Sequence, residues 1–425
     1  MKTKKVNRRN FIKISGLTLS AGIFLPQILT RPAFGAEGTE GIRIGVIGVG
    51  NQGRMHLLRN AKNVVAVCEV DKLRLADSKK QIEDRTGRTP ALYSDYRKML
   101  DDKNVDAVLI ATPDHWHALQ TIHACQAGKD VYVEKPLSLV ILEGRLMVKA
   151  ARKYNRIVQT GSQQRSDDKF RLACELVRSG KIGKLKTIKV GLPGVNFNEK
   201  PVPDSEPPAE LDYDMWLGPA PYRPYNKNRV HYNFRFFWDY SGGQLTNWGA
   251  HHLDIAQWGM GTDDTGPVEI EGEARFNKDN LYEVPEWFSL KYKYANGVTV
   301  ICGQSERSGT TFIGEKGEIY VNRGVLESNP PEIIKTELGP NDVHLYVSKD
   351  HHKNWYECIL SRKLPIADVE IGHRSATVCH LGNIAIRTKR KIIWDPLSEE
   401  IVGDPEASKL MSYVYRKPWE LPLIV

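Results

Sequence analysis

Three clusters of residue types could do chemistry in this chain of 425 residues. The first is Gly48-Val49-Gly50-Asn51-Gln52-Gly53, between a short apolar run and a helical stretch. Glycines at this spacing give a tight turn, room for the backbone to approach a pyrophosphate, and close packing of helix on sheet. The start of the following helix favours an anion, so Gly48, Gly50, Asn51, Gln52 and Gly53 are candidates to hold a dinucleotide. Glu69 ends the next apolar run and can accept the ribose hydroxyls. Its charge repels a 2′-phosphate, which favours NAD and makes NADP the lesser fit; Asp71 is the nearby alternative.

The second cluster follows two later strands, as Thr112-Pro113-Asp114-His115-Trp116-His117 and Glu134-Lys135-Pro136. Ligands of open α/β sheets bind at the carboxyl ends of their strands. Thr112, Pro113, His117, Glu134 and Lys135 are therefore expected to face the cofactor, while His115 divides evenly between a cap and a site residue. A lysine at a crevice mouth can hold a substrate hydroxyl and steer a proton. The third cluster, Gly242 to Asp254, leads a glycine pair into a helix, with Asn247 and His251 aimed at a cleft. His251 suits acid/base work because an imidazole titrates near neutrality. Adjacent helical residues point to different faces, so His251 and His252 do not make a metal site, and no metal is expected. Arg235 and Trp238, in Phe234-Arg235-Phe236-Phe237-Trp238-Asp239-Tyr240, suit sugar hydroxyls and ring faces; plain core packing is the other reading of these aromatics.

The elements that must position these residues read as an α/β chain. Short apolar strands alternate with helices from Gly41 to about Ser162, which implies a doubly wound parallel sheet over 41–162. After that the rhythm changes. Longer strands between Lys186 and Val321, with helices near 170–179, 252–260, 354–361 and 370–387, predict an α+β domain over 163–395. Its sheet is large and mostly antiparallel, with a face open to a partner subunit. Gly191 to Asn228 reads as a long loop, and 396–425 as a tail.

Composition narrows the partners. The formal charge is +9, yet residues 1–36 hold seven lysines and arginines and no acid. The body that remains is nearly neutral, which gives no support for nucleic-acid binding. Residues 1–36 run from a basic stretch with Arg8-Arg9 through a mildly apolar run to Pro32-Ala33-Phe34-Gly35-Ala36. That order resembles a twin-arginine export signal. It predicts a periplasmic protein, membrane-tethered if the signal stays uncut, with no stable membrane partner beyond the export machinery. The six cysteines form no CxxC pair and have apolar neighbours, as buried thiols do.

Taken together, the glycine run, Thr112-Pro113 with His117, Glu134-Lys135-Pro136 and Gly242 to Asp254 resemble the Gfo/Idh/MocA oxidoreductase family. The stretch Ile371-Gly372-His373-Arg374-Ser375 with Trp394-Asp395-Pro396 resembles its exported members. The resemblance implies a Rossmann domain, a substrate domain whose sheet serves oligomerisation as a dimer or tetramer, and sugar, polyol or glycoside substrates. It gives Lys135 and His251 the catalytic roles. Where that pattern carries Asp four residues before the histidine, this chain has Asn247, which cannot take a proton. Export would require a tightly held, internally recycled cofactor. Three functions fit: a sugar oxidoreductase, a redox-neutral NAD-dependent glycosidase, and a non-catalytic sugar-binding protein that retains cofactor.

Overall fold

The computed structural model describes residues 41–195, 197, 199–278 and 281–424. The expected export signal lies outside these residues. The first part of the chain lays down β1 (Ile44–Ile47), α1 (Asn51–Arg59), β2 (Val64–Cys68), α2 (Lys72–Thr86), β3 (Ala91–Tyr93), α3 (Tyr96–Asp101), β4 (Ala107–Ile110), α4 (Asp114–Gln126), β5 (Asp130–Val133), α5 (Ile141–Lys153) and β6 (Val158–Thr160). The sheet order is β3-β2-β1-β4-β5-β6, all parallel. β1, β4 and β5 are buried at every residue, as strands covered on both faces must be. β3 was not foreseen: it is an edge strand of three residues, none buried.

Register aligns the chemistry. Ile47 pairs with both Cys68 and Ile110, and Ile110 pairs with Val133. The next residues, Gly48, Glu69, Ala111 and Glu134, therefore stand side by side along one sheet edge. The order reverses between β1 and β4, which opens a crevice there.

The second part contains α6 (Asp168–Arg178), β7 (Leu185–Gly191), α7 (Tyr213–Leu217), α8 (Gly243–Asn247), α9 (Gly249–Met260), β8 (Glu269–Phe276), β9 (Pro285–Lys293), β10 (Thr299–Gly303), β11 (Gly309–Gly314), β12 (Glu318–Asn322), β13 (Val325–Asn329), α10 (His351–Ser361), α11 (Val369–Thr388), β14 (Ile392–Asp395), β15 (Glu400–Ile401) and α12 (Pro405–Ser408). Nine strands run in the order β13-β12-β11-β7-β10-β9-β8-β14-β15. All neighbours are antiparallel except β7 and β10. Val190, Leu290, Val300 and Cys302 point inward onto Phe170, Leu253 and Val378 of α6, α9 and α11. All six cysteines are buried free thiols.

Three expectations change. The long loop after Gly191 carries α7, whose Tyr213 stacks on Trp216 with ring centres 5.9 Å apart. α10 packs against the first sheet, where its Trp355 shares a core with Ile44 and Val46. Residues 396–424 pack back on the body. Tyr415 hydrogen-bonds Glu143, Trp419 meets Trp116 edge-on at 4.9 Å, and Arg416 donates to the carbonyl of Gly218. No helix among the described residues is long and apolar enough to cross a membrane.

Candidate functional site

A cleft of about 1170 Å³ runs along the carboxyl edge of the first sheet and under the second domain. The glycines at its floor divide their work as the spacing predicts. Gly48 has φ +82°, and a Cβ there would sit 2.9 Å from the Thr112 amide nitrogen. A Cβ on Gly53 would lie 2.0 Å from the Gly48 carbonyl oxygen, so only glycine lets α1 approach β1. Above Gly50 the one near atom is Nη1 of Arg74, at 3.1 Å from a built Cβ. Gly50 also caps α1 without a side-chain bond, and the first turn of α1 holds no acid. An open space over uncapped helix N–H groups fits the pyrophosphate of a dinucleotide.

Glu69 lines the same end. One of its oxygens accepts from Val49 N at 2.9 Å, and the other from Val70 N at 2.7 Å and Asp71 N at 3.1 Å. Burial raises its pKa against the pull of those N–H groups. The carboxylate therefore fastens the glycine turn as well as facing the cleft. Asp71 caps α2 through Leu73 N and Arg74 N instead.

Residues 205–241 cross this end as a strap. Asp212 N donates to the Val70 carbonyl and Lys72 N to that of Glu210, each at 3.0 Å. His231, in the left-handed region at φ +54°, lies 3.6 Å from Asp71.

His117 also joins two loops. Its Nε2 meets the Thr112 carbonyl at 2.9 Å and its Nδ1 the Pro136 carbonyl at 2.8 Å. It braces the two loops against each other and lines the cleft. His115 is buried beneath, bonded to the Trp216 carbonyl. Burial holds its pKa at about 3. Thr112 and Pro113 line the cleft, and the Thr112 hydroxyl donates to Gln120.

Glu134 sits at the end of a directed line of hydrogen bonds that sequence reasoning missed. Tyr356 donates to Asn60, Asn60 to His352 Nδ1, His352 Nε2 to His56 Nδ1, and His56 Nε2 to Glu134 at 2.7 Å. That direction follows because a neutral imidazole donates from one nitrogen only, and burial keeps His352 neutral, with a pKa of about 3. Gln163 adds a bond to Glu134 at 3.1 Å, and Gln52 a longer one at 3.4 Å. Burial opposes ionisation of Glu134, but His56 and the nearby Lys135 outweigh it, down to about 2. The spacing of Gln52 and His56, one helical turn apart, was a usable signal. His352 comes from α10, and nothing local marked it.

Deeper in the cleft, the Lys135 ammonium donates to Asn247 Oδ1 at 2.8 Å and to the Asn247 carbonyl at 3.3 Å. Asn247 Nδ2 in turn donates to Gln244. Asn247 thus serves the lysine, not the histidine. Burial lowers the Lys135 pKa, with Glu134 pulling it up and Arg235 pushing it further down. His251 is one turn beyond Asn247. Burial, with Lys135 and Arg323 close by, holds its pKa well below the usual value, so the ring is neutral. Its Nδ1 is buried and bonds nothing among the described residues, and both ends of the buried Gln164 amide are equally unpaired. Unpaired buried polar atoms beside a cleft suit a bound ligand.

Arg235 lines the cleft, and Trp238 does not. The short helical turn over 231–236 ends in extended backbone at Phe237, which turns Trp238 away, under the Arg387 guanidinium at 4.9 Å. Asp239 pairs with Arg223, and Tyr240 is fully buried. Arg323, on the β12–β13 turn, reaches the cleft with no sequence signal to foretell it.

Comparison with known proteins agrees with this geometry. Residues 42–162 match the model described as oxidoreductase family, NAD-binding Rossmann fold, and residues 183–421 match the oxidoreductase family, C-terminal alpha/beta domain. The chain is 32% identical over 154 residues to a myo-inositol 2-dehydrogenase of Thermotoga maritima, covering 35% of this chain and 44% of that one. It is 28% identical over 204 residues to a glycosyl hydrolase family 109 protein of Shewanella pealeana, covering 43% and 44%. It thus spans less than half the length of each of these two relatives. Among solved structures, the WlbA dehydrogenase of Bordetella pertussis, in complex with NADH and UDP-GlcNAcA, shares the fold at TM-score 0.59 and 19% identity, over 83% of this chain and 99% of that one. With both domain models matched across most of its length, the chain belongs to the GFO/IDH/MocA oxidoreductase family.

Proposed function

We propose that the protein is an NAD-dependent oxidoreductase acting on a hydroxyl of a sugar, polyol or glycoside. The observation that carries this reading is a buried His251, its Nδ1 without a partner among the described residues, one helical turn from the residue that holds the Lys135 ammonium, both lining the cleft that the glycine turn floors. When bound, NAD supplies the hydride acceptor. Gly48, Gly50, Asn51, Gln52 and Gly53 would hold its pyrophosphate end, with Glu69 at the ribose. The Glu69 charge favours NAD over NADP. Near the reacting carbon the chain's own groups handle the proton. His251 takes it from the hydroxyl oxygen, and Lys135 donates a hydrogen bond to the same oxygen as charge builds there. Asn247 keeps the ammonium aimed. Glu134, fixed by His56, lines the cleft beside it.

The strap over 205–241 supports tight retention of the cofactor, and residues 1–36 support export of a folded, loaded enzyme to the periplasm. The outer face of the nine-stranded sheet, which bears Lys291, Ile301 and Glu271, is our candidate surface for self-association into a dimer or tetramer. The likeness to the Shewanella protein keeps a second reading in view, in which transient oxidation assists glycoside cleavage and reduction follows. Denaturing the purified protein should release nicotinamide nucleotide. Sugars should then reduce the cofactor of intact protein, seen as a rise in reduced-nicotinamide absorbance. Glycoside cleavage without net reduction selects the second reading. Retained nucleotide with neither cofactor reduction by any sugar nor cleavage of any glycoside rejects both.

A further inference from the structure

We infer that the cleft selects an anionic sugar, one that carries a carboxylate or another oxyanion, and that Arg235 and Arg323 are the residues that select it. The inference rests on the oxidoreductase reading for the reacting hydroxyl, and on separate observations for the charge.

Several arginines elsewhere in the molecule are answered by acids, Arg165 by Asp254 and Asp263, Arg145 by Glu370 and Glu399, Arg223 by Asp239 and Glu283, while others, such as Arg275 and Arg387, rest on aromatic rings. The two in the cleft are of the second kind, and there they face a ligand-sized space. Arg235 forms no ion pair among the described residues, and its Nε is buried without a partner. Its guanidinium lies 4.0 Å from the Tyr232 ring centre and 5.5 Å from that of Phe234. Arg323 forms no ion pair among the described residues either, and rests 4.7 Å from the Trp248 ring centre. Both line the same cleft as Lys135, which is held by a neutral amide. The two nearby carboxylates attract these cations at longer range but make their hydrogen bonds with other groups, Glu134 with His56 and Gln163, and Asp114 with Ser241.

Three cations around two carboxylates, none of the three in direct ion-pair contact among the described residues, gain little from a neutral hexose. An oxyanion answers them with charge-assisted hydrogen bonds. Aromatic platforms hold a guanidinium by its face and leave its N–H edge free for a carboxylate or phosphate. The arrangement is a receptor for a planar or tetrahedral anion beside the reacting hydroxyl.

The test is calorimetric titration of the holoenzyme with matched pairs: glucuronate, galacturonate and mannuronate against their neutral hexoses, with glucose 6-phosphate as the third arm. At least one anion should bind about tenfold or more tightly than its hexose, and the gap should narrow as salt rises. A uronate preference identifies a carboxylate, and a preference for the phosphate ester identifies that anion. Arg235→Gln and Arg323→Gln should each erase most of the preference. Arg323→Lys should keep part of it, and nucleotide released on denaturation should show each variant still folded and loaded. A panel in which no anion outbinds its neutral partner overturns the inference and leaves the oxidoreductase reading intact. Selective anion binding with no cofactor reduction by any sugar does the reverse.

Discussion

At the scale of single residues, the cleft is a set of pKa problems solved by burial. His251 is kept neutral by desolvation and by the cations beside it. The acid limb of kcat/KM should therefore fall below the pH range of an ordinary histidine. Asn247→Asp tests the cause. A carboxylate beside Lys135 would favour the charged forms of both lysine and imidazole, so the acid limb should move to higher pH in a pH–rate profile. Lys135→Ala should abolish cofactor reduction while the nucleotide stays bound, because the ammonium touches Asn247 and not the glycine turn. Lys135 and His251 were legible from the sequence because each follows a structural punctuation mark, the end of a strand or a glycine pair. Trp238 was misread because aromatic composition alone does not say which way a residue faces once a helical turn ends. The bracing by His117 was not legible because its bonding partners, the Thr112 and Pro136 carbonyls, come from two loops.

At the scale of elements, the glycine turn makes a pair of contrasting predictions. Gly53→Ala puts a methyl group into the Gly48 carbonyl and should cost about 1–3 kcal/mol of stability in thermal or denaturant unfolding. Gly50→Ala meets only the flexible end of Arg74. It should leave unfolding nearly unchanged yet strip the protein of nucleotide. The strap makes another. His231→Gly removes the contact with Asp71 and suits the left-handed backbone at that position. Nucleotide release should become several-fold faster, measured by stopped-flow fluorescence, with no loss of fold. Apart from the exposed edge strand β3, the strands and helices of the first sheet were readable because they are continuous apolar runs separated by glycine, proline or acid. The strap was not, since its attachment is backbone bonding between distant loops, which no residue pattern encodes.

At the scale of the whole molecule, the C-terminal segment laces the two halves together, and its key contact is titratable. Burial raises the Glu143 pKa to about 7, even though Tyr415 and the amides of Leu139 and Val140 bond to the carboxyl group. A folded-state value above the usual 4.5 means that the folded protein holds a proton which the unfolded chain releases. The associated stability is complete below about pH 4.5 and is lost as pH rises through about 7, to the extent of about 3 kcal/mol. Glu143→Gln should flatten that slope in chemical denaturation across pH 5–8. Glu134 works in the opposite sense: its pKa near 2 contributes stability that disappears as pH falls from about 4.5 toward 2. The two-domain plan was open to sequence reasoning, but the return of α10 and residues 412–424 to the first sheet was not, because their apolar residues match either core equally well. The crossing at Val70 to Lys72 has a temporal consequence. On the proposed reading, a polypeptide that fastens its own backbone over a nucleotide site would make capture an episode of maturation, so refolding yields should depend on whether NAD is supplied before or after the chain has closed.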